Sequence, residues 1–129
     1  MHFARRPSNN PIYFRIKELI MKIGCIISTP EIEHGPLALF SGPFEEKLKK
    51  AKSLGYDGVE LMVREPSKLD IEEITTALND VGLEVPQVVT GELFGIDGLA
   101  LVHPDPTICK QAMSRTKDVI NFASEFGSR

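Results

Sequence analysis

Four positions in this 129-residue chain combine residue type and setting in ways suited to holding a small polar molecule. Glu60 stands between Val59 and Leu61 in an apolar run, and a carboxylate in a buried strand is costly unless it is paired or faces a polar pocket. It serves either to hydrogen-bond a substrate or a metal-bound group, or as a structural carboxylate bonded to backbone or to Arg64. Gly91 and Glu92 follow Thr90 at the end of another apolar run. Gly91 would let a ligand approach the backbone and Glu92 could bind hydroxyls; the alternative is an ordinary strand exit. His103 lies in Val102-His103-Pro104-Asp105-Pro106. A histidine suits proton transfer or metal binding near neutral pH, yet the same turn can simply shape a loop, with Asp105 helping a helix to start. His34, in Glu33-His34-Gly35-Pro36, reads as a solvated loop residue that could still reach a ligand. The expected substrate-binding set is Glu60, Gly91, Glu92 and His103, with no catalytic residue and no metal ligand assigned.

Other chemistries lack their residues. The segments 91–95 and 95–98 contain glycines but neither the lysine of a phosphate loop nor the order G-x-G-x-x-G. A net charge of -3 and a pI near 5.6 argue against a general nucleic-acid binder. No segment approaches the roughly 20 uninterrupted apolar residues of a membrane helix. Cys25 and Cys109 show no pairing or metal-ligand spacing, so free thiols in a reducing cytosol are expected. The lysines at 47, 49 and 50 read as a solvated helix face.

These residues must be positioned by a repeating β–α pattern. The run 23–28 is apolar and β-branched, as in a strand buried on both faces. A long loop follows to Gly42. Pro43 then suits the first turn of a helix, capped by Ser41 or Gly42, with Phe44, Leu48, Ala51 and Leu54 on its apolar face. Residues 57–62 form a second strand. A second helix, capped by Asp70 or Ser67, buries Ile71, Ile74, Ala77, Leu78 and Val81. The third strand, 84–90, holds Pro86, which cannot donate to a ladder. A loop over 91–106 leads to a third helix capped by Thr107, with Ile108, Ala112, Arg115, Thr116, Val119, Phe122, Ala123 and Phe126 on its buried side. Each helix closes on an apolar residue and a glycine: Leu54-Gly55, Val81-Gly82 and Phe126-Gly127. Loops after helices are short, and those after the first and third strands are long. In α/β folds, long connections leaving the carboxyl ends of parallel strands carry the site.

The segment 51–61, Ala-Lys-Ser-Leu-Gly-Tyr-Asp-Gly-Val-Glu-Leu, resembles the second strand and its approach in xylose isomerase-like TIM barrels, the sugar phosphate isomerase/epimerase superfamily. Gly98 to Pro106 resembles the loop before the third helix in tagatose and psicose 3-epimerase-like members, and Ile120 to Gly127 is similar to the end of that helix. The resemblance covers 21–129 and leaves 1–20 as an extension, expected to be poorly ordered. It implies the amino-terminal portion of a (β/α)8 barrel, with about three βα units of parallel strands and helices outside. It further implies a divalent-metal isomerase or epimerase, using Mn or Mg and acting on a sugar or sugar phosphate. The metal ligands of that family come from strands beyond the third helix. The expectation is therefore a fragment that binds no metal and is inactive alone. Two alternatives stand beside it: a half-barrel that works only as an oligomer or with a partner chain, and a small non-catalytic α/β binding module.

Overall fold

Alternation within the apolar runs decides which side of each strand meets the helices. The computed structural model describes residues 21–33 and 38–128. The extension over 1–20 and His34 lie outside the described residues. Strand β1 (Gly24–Ser28) leads to helix α1 (Phe44–Ser53), and β2 (Gly58–Met62) to a 3-10 turn (Pro66–Lys68) and α2 (Ile71–Val81). Strand β3 (Glu84–Val89) is followed by a short helix α3 (Gly91–Gly95) and the long α4 (Pro106–Glu125). The strands form one parallel sheet in the order β1-β2-β3, so the protein is a mixed α/β fold.

Cys25, Ile27, Val59, Leu61 and Val85 point to one side of the sheet. There they join Leu48 and Ala51 of α1, Ile74 and Leu78 of α2, and Val119 and Phe122 of α4 in a single core. Leu48, Ala51, Ile27, Val59 and Leu61 are completely buried. Phe122 and Phe126 close one end of this core edge to face, with ring centroids 5.0 Å apart. The other side of the sheet carries the register row Ile26, Glu60 and Gln87. Ile26 and Glu60 there are half-buried and Gln87 is exposed. Burial of β1 on both faces, as its composition suggests, is found in part: the helices cover one face, and on the other Ser28 is buried under Lys47, Ile26 is half-buried and Ile23, just ahead of the strand, is 53% exposed.

The three glycines after the helices adopt the left-handed conformation, with φ of 88° at Gly55 and 66° at both Gly82 and Gly127. Asp70 caps α2, its carboxylate accepting from the Glu73 N–H at 3.1 Å. Helix α4 is capped by Asp105 rather than Thr107. Asp105 Oδ1 accepts from the Thr107 N–H at 2.8 Å, and Pro106 occupies the first turn, where a missing N–H costs nothing. In α1 the capping position is Pro43 itself, without a side-chain cap. The stretch 91–106 is not wholly a loop, because α3 is folded within it.

Pro86 is accommodated by a bulge. Gly58 pairs with Glu84 and Glu60 with Gln87, so β3 fits two residues, Val85 and Pro86, opposite Val59. A Cβ at Gly58 would lie 2.8 Å from the Glu84 carbonyl oxygen and 3.2 Å from Pro86 Cδ. The strand before the bulge thus approaches β2 so closely that only glycine fits opposite it.

Candidate functional site at the carboxyl ends of the strands

The expected site residues fall in three separate places. Glu60 lies within β2 on the helix-free face, half-buried between Ile26 and Gln87. Its negative charge reaches through the sheet: the Cys25 thiol is pushed up, chiefly by burial and then by Glu60. Arg64, the structural partner that the sequence offers for Glu60, is engaged elsewhere. Gly91 opens α3 with free space where a side chain would stand. Glu92, next in that helix, is 3% exposed. Its carboxylate runs along α3 towards the carboxyl end, so that a Cβ at Gly95 would lie 3.2 Å from Oε2. His103 is partly exposed in the loop before α4, and its Nδ1 accepts the Asp105 N–H at 3.0 Å. That bond occupies one ring nitrogen in shaping the turn that Asp105 then uses to cap α4. Among the described residues no hydrogen bond or ion pair joins any two of the four.

What the structure does assemble at the carboxyl ends of the strands is a charged network. Arg64, just beyond β2, grips Asp97 through Nε at 3.0 and 3.1 Å and through Nη2 at 2.6 Å. Such a forked contact is the strong form of the arginine–carboxylate bond. Arg115 of α4 donates to the Arg64 carbonyl at 2.9 Å and approaches Asp97 at 3.5 Å and Glu65 at 3.8 Å. Lys68 holds the other oxygen of Glu65 at 2.8 Å. Glu31, in the connection after β1, accepts the backbone N–H groups of Arg64 at 3.0 Å and Glu65 at 3.3 Å. The hydrogen bonds from Arg64, reinforced by the charges of Arg64 and Arg115, hold the Asp97 carboxyl below its ordinary value. Lys68 does the same for Glu65, with help from Arg115. Among the described residues three cations, Arg64, Arg115 and Lys68, meet three anions, Asp97, Glu65 and Glu31, so the network ties β2, the segment after α3 and α4 together.

A second polar feature sits at the end of β1. Lys47, expected on the solvated face of α1, is 4% exposed, and its Nζ donates to the Ser28 carbonyl at 2.7 Å and to Ser28 Oγ at 2.8 Å. Burial pushes its amine down, while the charge of Glu31 resists. The spacing carried the signal: position 47 completes the stripe 44, 47, 48, 51 at helical period. Nothing local in the sequence announces the Arg64–Asp97 pair, whose members stand 33 residues apart.

Among the described residues no group of three or more His, Cys, Asp or Glu is arranged to hold a metal ion. Cys25 and Cys109 are free thiols, Cys109 donating to the carbonyls of Leu101 and His103. No helix among the described residues is long and apolar enough to cross a membrane. Comparison with protein-family models and with curated proteins finds no match for this chain.

Proposed function

We propose that this chain forms the amino-terminal part of a xylose isomerase-like (β/α)8 barrel, from a divalent-metal-dependent enzyme that isomerises or epimerises a sugar or sugar phosphate in the cytoplasm. The observation that supports this most is the parallel order β1-β2-β3, with helices on one face and the longest connections leaving the carboxyl ends of β1 and β3. In a closed barrel the row Ile26, Glu60 and Gln87 would turn inward, and inward residues near the carboxyl ends of strands meet the ligand. Glu60 would accept a sugar hydroxyl. Gly91 would let the ligand approach the backbone, while Glu92 and His103 would contribute only after leaving their present contacts. The described residues do not fit the Mn or Mg of that family, so the role assigned to this chain is substrate binding, without catalysis of its own.

The test is proton exchange at the carbon beside the carbonyl of keto sugars, followed by NMR in heavy water with Mn present. This chain alone should give no exchange above buffer. The chain extended by the protein encoded directly downstream should give exchange that disappears with a chelator. Exchange by the short chain alone, or a downstream sequence without further β–α units carrying Glu, Asp and His, would overturn the proposal. A half-barrel that completes itself by self-association is a second reading, favoured by the half-exposed inner row of the sheet.

A further inference from the structure

Lys47 is buried at the end of β1, yet both of its hydrogen bonds go to neutral oxygens of a single residue, Ser28. Two N–H bonds account for both protons of a neutral amine and leave its lone pair free, whereas the ammonium form would aim its third proton towards the Phe44 ring. The buried part of the side chain also packs near Phe44, with Nζ 5.9 Å from the ring centroid. The small part that stays open lines a cleft of about 450 Å³ between the connection after β1 and the start of α1. Its walls include Pro30, Ile32 and Phe44 together with the polar side chains of Glu33 and Ser41. That volume lies within the range of small-molecule sites. Glu31 stands close enough for its charge to act on the amine, and its Oε2 is buried without a partner.

We propose that Lys47 is a carbonyl-capturing amine, and that the cleft beside it takes a small aldehyde or ketone to form a Schiff base. The nitrogen lone pair attacks the carbonyl carbon, a C–N bond forms, and the carbonyl oxygen takes up a proton to give a carbinolamine. The nitrogen then gives up its remaining proton as the hydroxyl leaves with another as water. The balance is one amine plus one carbonyl to one imine plus one water, with no oxidant or reductant. The two protons that leave nitrogen are the two that oxygen gains, so no net proton is taken up or released over the sequence. Burial supports the reaction by favouring the unprotonated amine, the form that attacks carbonyls. This activity needs no metal and does not rest on the sugar isomerase reading.

The experiment treats the whole chain with glyceraldehyde and sodium cyanoborohydride, which reduces an imine to a stable secondary amine, and maps the modified lysines by peptide mass spectrometry. Lys47 should be labelled at least severalfold faster than Lys49, Lys50 or Lys52 at neutral pH, because burial favours the amine form that attacks carbonyls. In urea, where the cleft is lost, that preference should vanish. Lys47→Arg should lose the fast adduct, and Lys50→Arg should keep it. Labelling of Lys47 no faster than that of its exposed neighbours overturns the proposal, and this comparison within the native chain holds even if Lys47→Arg does not fold. A failure of metal-dependent exchange in sugars would leave the labelling pattern untouched, so the two proposals fail separately.

Discussion

Asp97 is the residue on which the carboxyl side of the sheet turns. It receives the fork of Arg64, and Arg115 stands over both while bonding the Arg64 carbonyl. Asp97→Asn keeps the shape but removes the charge, so it should lower the urea midpoint of unfolding at pH 7. The sign with pH follows from the depressed carboxyl. A group titrating lower in the folded chain adds stability that is complete above its unfolded value, about pH 4, and is lost as pH falls through its folded value. The gap between wild type and Asp97→Asn should therefore be widest at neutral pH and shrink below about pH 4. A gap that stays constant down to pH 2 would mean that Asp97 acts by packing rather than by charge. The forked bond was beyond the reach of sequence reasoning because its partners meet only when α3 brings the chain back across the end of β2.

Among the elements, β2 and β3 show how one residue type answers another. Pro86 puts its ring Cδ where a ladder N–H would point, and the sheet absorbs it with a bulge opposite Val59. Gly58 is the complement. Gly58→Ala should destabilise the fold by about 1–3 kcal/mol, because the new methyl meets the Glu84 backbone carbonyl, which cannot swing aside. Thermal unfolding by circular dichroism checks this, and an unchanged midpoint would show that β3 relaxes freely at the bulge. Much at this scale was legible. The apolar periods located the three long helices, and the apolar–glycine pairs at Leu54, Val81 and Phe126 marked where each stops, because glycine alone enters the left-handed conformation without penalty. The caps of α1 and α4 fall at Pro43 and Asp105, a residue or more from the positions the sequence favours, since proline and aspartate compete for the same few positions of a helix start. The charge of Lys47 points to a solvated face, although its position in the stripe 44, 47, 48, 51 places it inward. Helix α3 left little trace, because five residues carry less than two turns of apolar period. Of the expected site, Glu60 lies on the face its alternation implies, while the separation of Glu92 and His103 depends on loop paths that no local pattern encodes.

The molecule as a whole has a sheet with one covered face and one more open face. Helices seal the sheet on one face, and the row Ile26, Glu60 and Gln87 remains open to half-open on the other. Each apolar side chain left in water forfeits roughly 1.5–3 kcal/mol relative to burial, against a net domain stability of only about 5–15 kcal/mol. Size-exclusion chromatography with light scattering, over a range of concentrations, should show a mass that rises above 14.3 kDa as concentration increases. A constant monomer mass with cooperative unfolding would favour a self-sufficient module instead.

Strand order equals chain order in this sheet, each strand laying itself beside its immediate predecessor. A ribosome delivers the chain in that same order. β1, α1 and β2 could close as a unit while β3 is still being synthesised, and their ladder would then template the next strand. Growth from the amino-terminal side needs no rearrangement of what is already paired, which shortens the time that an open edge waits for its neighbour.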